Sequence, residues 1–311
     1  GEIGGGAVYL AEHAGDSYRG FKTSFLQLMG PLGILASTIQ ISILQNHLTT
    51  EQFLNWGWRV PFWVSLFLLV VAFYARRSIE ETPAFLELSK KGQTESQLLN
   101  NFKDKEIRKR MLLLFLCVSS SGAILFFCVQ VYTGIFLKTS VKLEPALVDK
   151  LSILATCALL PLTIFCGWLS DLYGRKSVVL SGIILGAVFI YPSFRMLEKL
   201  GITYIEIGSP STLLSIFGIL VFLAILLALV VGPQTALLAE FFPAKNRNSA
   251  ATVPHNLAAG WVGGLLPFII TWLNQTIDGN LAGLWYPVIF LGIAGMIALR
   301  FFPETKSRNL L

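Results

Sequence analysis

The sequence predicts an all-α membrane protein, and three observations carry that prediction. Hydrophobic residues make up 54% of the 311 and charged ones only 14%, about half the share of roughly 25% found in soluble domains. Too few charges remain to cover a surface in water. The apolar residues fall in uncharged runs, most of them close to or above the roughly 20 residues that cross the hydrocarbon core as a helix. Those runs lack the alternation over about ten residues that membrane β-strands need, which excludes a barrel.

Taken in order, Gly1–Ala11, glycine-rich and carrying Glu2, reads as the end of a span. Thr23–Asn46 is the first complete one. Val60–Ala75 is shorter, but Arg59 and Arg76 bracket it and can snorkel to the two interfaces. A charged linker follows over 80–110, with a short amphipathic helix expected around Thr82–Ser89. Met111–Leu137, Leu151–Ser170, Ser177–Phe194, Ile207–Ala239, Asn248–Ile277 and Gly279–Leu299 bring the complete spans to eight. Pro31, Pro161, Pro192, Pro233, Pro254, Pro267 and Pro287 lie inside spans, which a bundle tolerates because neighbouring helices satisfy the freed carbonyls. Cys117, Cys128, Cys157 and Cys166 also lie in spans, have no Cys-x-x-Cys spacing, and read as small core hydrophobes.

The connections alternate between the two sides of the membrane. Of 24 Lys and Arg, six (Arg59, Lys138, Lys142, Lys150, Arg195 and Lys199) fall on one face and the rest on the other. The positive-inside rule therefore places the 80–110 linker and the C-terminus in the cytoplasm. This asymmetry accounts for the net charge of +6 without a nucleic-acid partner.

An internal repeat organises the spans. "AEHAGDSYRG" at 11–20 and "AEFFPAKNRN" at 239–248 both end a span in Ala-Glu, with an Arg seven residues after the Glu: Glu12 and Arg19, Glu240 and Arg247. "RSIEET" at 77–82 and "RFFPET" at 300–305 share Arg-x-x-x-Glu-Thr at nearly the same offset. Two matches near one offset indicate two homologous units, as parallel-repeat transporters have. Used as a ruler, the repeat divides the chain into 1–79, the remainder of an N-terminal six-helix bundle, the 80–110 linker, and a C-terminal six-helix bundle over 111–311. It also predicts that three spans and most of a fourth precede Gly1, for twelve in all.

"GWLSDLYGRKS" at 167–177 joins two spans on the basic face. Gly167 permits close helix approach, Asp171 is an anion at the membrane boundary, Gly174 permits a tight turn, and Arg175 and Lys176 hold that turn at an anionic leaflet. Gly-x-Leu-Ser-Asp-x-x-Gly-Arg-Lys resembles the inter-helix signature of the major facilitator superfamily. The resemblance implies two six-helix bundles, an Asp171-centred latch, and a cytoplasmic charge network drawing on Arg175, Glu12, Arg19, Glu240 and Arg247. Such a network closes the inner gate and breaks when the units rock. Within the superfamily, "GEIGGGAVYLAEH", "GWRVPFW…RRSIEETPAF" and "AEFFPAKNRNSAATVPHNLAAGWVGGLLP" resemble the metabolite:proton symporters, the family of proline/betaine, alpha-ketoglutarate, citrate and shikimate permeases. The resemblance implies proton-coupled symport of a small organic acid or zwitterionic osmolyte by a monomer in a bacterial inner membrane. Sugar porters rank second: "FPETKSRNLL" resembles their C-terminal end, but "LCVSSSGAILFFCVQVYTG" lacks the QQxSGIN-like element of their seventh helix. A receptor or channel reusing the fold is the other class; a channel needs a continuous polar stripe, and the polar residues here are scattered singly.

Ionisable residues inside a bilayer are functional candidates by default. Glu2 lies ten residues before Glu12, about 15 Å deeper along a helix, near the midplane where transporter sites sit. Two readings of it stand level: a proton-coupling acid, or a structural carboxylate paired with an Arg or hydroxyl. His255 is the second coupling candidate, although a lone His more often just bonds a neighbouring helix. Gln27 maps onto His255 through the repeat. With Gln130, Tyr132, Gln234 and Asn256 it supplies polar groups for a central cavity; Ser119, Ser120 and Ser121 are weaker candidates. Arg59 reads as an interface anchor. Gly4-Gly5-Gly6 lacks the Lys-Ser/Thr end of a phosphate loop. No Ser/His/Asp, HExxH or Cys/His arrangement points to an enzyme, a metal or a cofactor.

Overall fold

In the computed structural model, residues 2–15, 17–77, 98–243, 246–277 and 279–306 are described, with side chains left aside at 2–4, 75, 76 and 98–100. The amphipathic helix expected around Thr82–Ser89, and much of the 80–110 linker, lie outside the described residues. Those described are helical, with no strand among them. Eight helical segments are long and apolar enough to cross a membrane, and each overlaps one of the eight runs read from the sequence.

The first elements are α1 (Glu2–His13), α2 (Arg19–Gln27), α3 (Met29–His47), α4 (Thr50–Asn55) and α5 (Val60–Arg77). α2 and α3 form a single span jointed at Leu28, with Pro31 in the first turn of α3. A capping box starts α4: Thr49 accepts the Gln52 amide at 3.2 Å and Gln52 accepts the Thr49 amide at 3.0 Å. Arg59 donates to the Asn55 carbonyl and lies 4.5 Å over the Trp58 ring, a cation–π contact. α3 and α5 expose apolar side chains over most of their surface, among them Phe62, Trp63, Phe67 and Leu69.

After α6 (Leu98–Lys103), Asp104 caps α7 (Lys105–Leu113) by accepting the amides of Glu106 and Ile107 at 2.8 and 3.2 Å. That span continues through π-helical turns at Leu114–Ser119 and Phe127–Tyr132, separated by α8 (Ser120–Phe126), and ends in α9 (Thr133–Thr139). Three long helices follow: α10 (Pro145–Tyr173), α11 (Arg175–Ile207) and α12 (Pro210–Glu240). Pro145 and Pro210 open two of them, where a missing amide costs nothing. Pro161, Pro192 and Pro233 sit inside without ending them. α13 (Arg247–Leu257), a third π-helical stretch at Ala258–Gly263, and α14 (Leu266–Thr276) make the next span, and α15 (Trp285–Phe301) the last.

α12 is the central post. It packs on α10, α11, α2 and α1, which brings the N-terminal helices against the C-terminal bundle. The core of that bundle includes Tyr132, Phe136 and Phe194, whose ring centroids lie 5.2–6.2 Å apart. The four cysteines are free, and all but Cys157 are buried.

Candidate functional site

The repeat is visible in the backbone. α2 starts at Arg19 and α13 at Arg247, and each straight segment ends within two residues of the paired positions Gln27 and His255. Both arginines thus stand at the first turn of equivalent helices, beside the ends of α1 and α12, where Glu12 and Glu240 lie. The pairing is crossed. Arg19 donates to Glu240 at 3.0 Å, and Arg247 donates to Glu12 at 2.8 Å. Each unit holds the other's carboxylate.

The "SDLYGRK" turn inserts into this crossing. Gly174, with φ at 96°, links α10 to α11 and directs Arg175 inward. The Arg175 guanidinium contacts Glu240 at 3.2 and 3.3 Å, Asp171 at 2.7 Å and Ser170 at 2.8 Å. The Asp171 carboxylate meanwhile accepts the amides of Gly20 and Phe21 at 2.9 and 2.8 Å. It therefore caps the first turn of α2 from another helix, where the backbone dipole favours a negative charge. This approach requires glycines: a Cβ on Gly20 would lie 2.5 Å from the Gly167 carbonyl, and one on Gly167 would lie 2.6 Å from the Ser24 side chain.

At the centre of the cluster, among the described residues, three arginines meet three carboxylates, nearly dry. Arg19, Arg175, Glu240 and Arg247 are only 2–3% exposed. In a low dielectric such charges persist only where each is paired and hydrogen-bonded, as these are.

The cluster also draws in Thr305, Glu304 and Lys306, which the sequence alone left without a role, and Lys176. Thr305 donates to Glu240 at 2.9 Å. Glu304 accepts the amides of Arg175 and Lys176 at 2.8 and 3.1 Å, and so caps α11. The recurrence of Arg-x-x-x-Glu-Thr at 300–305 marked this pair as a repeat without saying what its carboxylate does. Lys306 and Lys176 close the ring by donating to the carbonyls of Leu172 and Leu299.

Above the cluster, Gln27 donates to Thr235 across α2 and α12 at 2.9 Å. Gln234 is buried against Gly122. Gln130 accepts from Thr156 at 3.2 Å and lines a cavity of about 290 Å³ between α3, α9 and α10, with Thr38, Lys138 and Asp149 on its wall. The Lys138–Asp149 pair there is 2.6 Å long. Tyr132 is 2% exposed in the packed core, and Asn274 donates to its hydroxyl at 3.1 Å, which ties α14 to this span. Asn256 is exposed, on the other side of the α13 turn from the half-buried His255. His255 Nδ1 and the Ser119, Ser120 and Ser121 hydroxyls are buried without a hydrogen-bond partner among the described residues. The backbone of Glu2 opens α1, but its side chain lies outside the described residues.

Helices that span a membrane repeatedly, arranged as two related units clasped at one end by a buried ion cluster, define a multi-pass integral membrane protein of the major facilitator type. The family model described as "Sugar (and other) transporter" matches residues 2–113 and 97–311, and the chain belongs to that family. Among its relatives, the inner membrane metabolite transport protein YhjE of Escherichia coli K12 is 29% identical over the whole chain and 68% of its own length. A putative proline/betaine transporter of Staphylococcus aureus MSSA476 is 30% identical over the whole chain and 64% of its own. The shikimate transporter of E. coli K12 is 28% identical over 96% of the chain and 65% of its own. The chain thus spans about two thirds of the length of these relatives. A solved proton:xylose symporter, XylE with 6-bromo-6-deoxy-D-glucose, superposes with a TM-score of 0.65 over 98% of the chain and 68% of its own, at 20% identity. That likeness concerns the fold.

Proposed function

We propose that the protein is a secondary active transporter that carries a small organic acid or zwitterionic osmolyte together with a proton, by alternating access. One observation carries the reading: the two units meet through the crossed Arg19–Glu240 and Arg247–Glu12 pairs with Arg175 and Asp171 between them. A greasy seam would hold two bundles permanently. An ion cluster at a boundary instead exchanges protein partners for water at modest cost, which suits a gate that opens and recloses in every cycle. In this reading Glu12, Arg19, Asp171, Arg175, Glu240 and Arg247 form the cytoplasmic gate, and the conformation described has it shut. The units are residues 1–79 and 111–311, tethered by 80–110. The names of the relatives, transporters of metabolites, proline/betaine and shikimate, support the substrate class. The distribution of Lys and Arg supports a cytoplasmic gate and C-terminus in a bacterial inner membrane. Glu2 and His255 are the coupling candidates, and the protein works as a monomer.

The test is uptake by proteoliposomes containing the full-length protein. Saturable accumulation that collapses with a protonophore and is competed by small organic acids or betaines supports symport of that class. Competition by pentoses or hexoses alone moves the protein to the sugar porters, and non-saturating ohmic current refutes carriage altogether.

A further inference from the structure

At the end of the bundle opposite the charge cluster, α11, α15 and the connection before α15 enclose an open cavity of about 650 Å³. Its depth in the membrane follows from α11. Arg195 is twenty residues beyond Arg175 on one continuous helix, so it lies roughly 30 Å away, the thickness of the hydrocarbon core. With Arg175 at one boundary, Arg195 stands at the other.

The cavity is layered along that direction. At its rim are Arg195 and Glu198, charges of opposite sign on one face of α11, with Asn280 donating to Glu198 at 3.1 Å. Arg195 is exposed and makes no hydrogen bond or ion pair among the described residues; Asp278 lies outside them. Below the rim, Tyr191 and Trp285 stack with ring centroids 5.0 Å apart. Below the rings the wall is aliphatic at Ile289. Two exposed apolar stripes then run from the cavity toward mid-membrane: Val188 and Ile184 on α11, and Ile289, Ile293 and Met296 on α15.

We propose that this cavity binds the headgroup of an amine-bearing phospholipid, with an acyl chain lying in the groove between the two stripes. The lipid phosphate pairs with Arg195, whose guanidinium presents two parallel donors to it. The ammonium pairs with the Glu198 carboxylate at the rim, and the outer face of the Tyr191–Trp285 stack flanks the glycerol backbone below it. Charge over aromatic over aliphatic matches the headgroup, glycerol-ester and acyl layers that a phospholipid presents at this depth. A water-soluble phosphate ester has no use for the lower two layers, which are lined for a chain.

Native mass spectrometry of the full-length protein, released from micelles doped with equal phosphatidylethanolamine and phosphatidylglycerol, tests the proposal. The expected result is selective retention of phosphatidylethanolamine, with the adduct weakened about tenfold by Arg195→Gln, the loss of one charge-assisted hydrogen bond. Arg195→Lys should recover part of that loss. Lys199→Ala, a neighbouring cation outside the cavity, should change nothing. Glu198→Gln should erase the preference for the amine headgroup while leaving lipid bound. Equal retention of both lipids by the parent protein, or equal loss in Arg195→Gln and Lys199→Ala, overturns the proposal. Displacement by soluble glycerophosphoethanolamine as readily as by lipid also overturns it and indicates a small-molecule site.

Discussion

Asp171 accepts the backbone amide of Phe21 at 2.8 Å across 150 positions of sequence. A side chain of α10 thereby caps a helix of the other unit, and the same carboxylate holds Arg175 at 2.7 Å. One group thus fixes both the register of α2 and the aim of the central arginine. Both contacts depend on a carboxylate with two accepting oxygens.

Asp171→Asn breaks this arrangement without removing atoms. The amide keeps one acceptor but turns an NH₂ toward a backbone N–H, and it no longer neutralises Arg175. The closed gate should weaken by about 1–3 kcal/mol. In the full-length protein, initial uptake should fall several-fold at unchanged membrane abundance. Unaltered uptake would dissociate Asp171 from gating.

Glu240 should be the residue whose loss costs the most stability. It is 3% exposed and takes hydrogen bonds from Arg19, Arg175 and Thr305. Glu240→Gln removes the charge of the buried carboxylate that Arg19, Arg175 and Thr305 share, a cost of about 3–5 kcal/mol for a broken buried pair. Glu106→Gln removes an exposed (i, i+4) partner of Arg110 and should cost about 0.5 kcal/mol or less. Thermal unfolding of the two purified variants gives the comparison; similar losses would mean that the cluster is hydrated in solution.

Close packing at Gly20 and Gly167 gives a steric test of the same gate. A methyl at either position meets backbone or Ser24 atoms at less than 3.0 Å, so α2 and α10 must separate at a cost of about 1–3 kcal/mol. Gly167→Ala should bias the full-length protein toward the state in which this end is open. Thiol labelling of a cysteine placed at Ser24, which is buried here, should accelerate in that background, and an unchanged labelling rate would show that the helices do not part there.

The spans were legible because membrane thickness, not helix length, sets the length of uncharged runs. The same criterion stopped short wherever a helix continued into water. α11 runs on past Arg195, Glu198, Lys199 and Glu206 to Ile207, since its hydrogen bonds are local and indifferent to the change of solvent. The joint at Leu28 and the π-helical turns left no mark in composition. They arise where two helices press together, as at Gly263 against Phe127 and Ala123. Glu12, Arg19, Glu240 and Arg247 were readable as charges because the repeat gave their positions twice, and Asp171 and Arg175 because they lie in the inter-helix turn. Their crossed pairing was not, since sequence spacing places Glu12 near Arg19 and only the packing of α1 and α2 on α12 and α13 exchanges the partners. The partner of Tyr132 was not legible either, because a polar tip on an apolar ring fits a cavity and a core equally well; the structure supplies Asn274.

Proton coupling gives the last prediction. Glu2 opens α1, deeper in the bundle than Glu12 by about 15 Å at helical rise, while the gate carboxylates are each committed to an arginine. A coupling acid must gain and lose its proton during the cycle. In the full-length protein Glu2→Gln should therefore abolish accumulation against a gradient. It should spare counterflow, because a neutral amide imitates the protonated acid in shape and charge. A purely structural Glu2 predicts a different result, in which both activities and folding fail together as its buried partner is left uncompensated. His255 supplies the control. Its Nδ1 has no hydrogen-bond partner among the described residues, so His255→Asn should leave stability unchanged, and uphill uptake should persist if Glu2 alone carries the proton. Uphill accumulation that survives Glu2→Gln and disappears in His255→Asn would transfer the coupling role from the carboxylate to the imidazole.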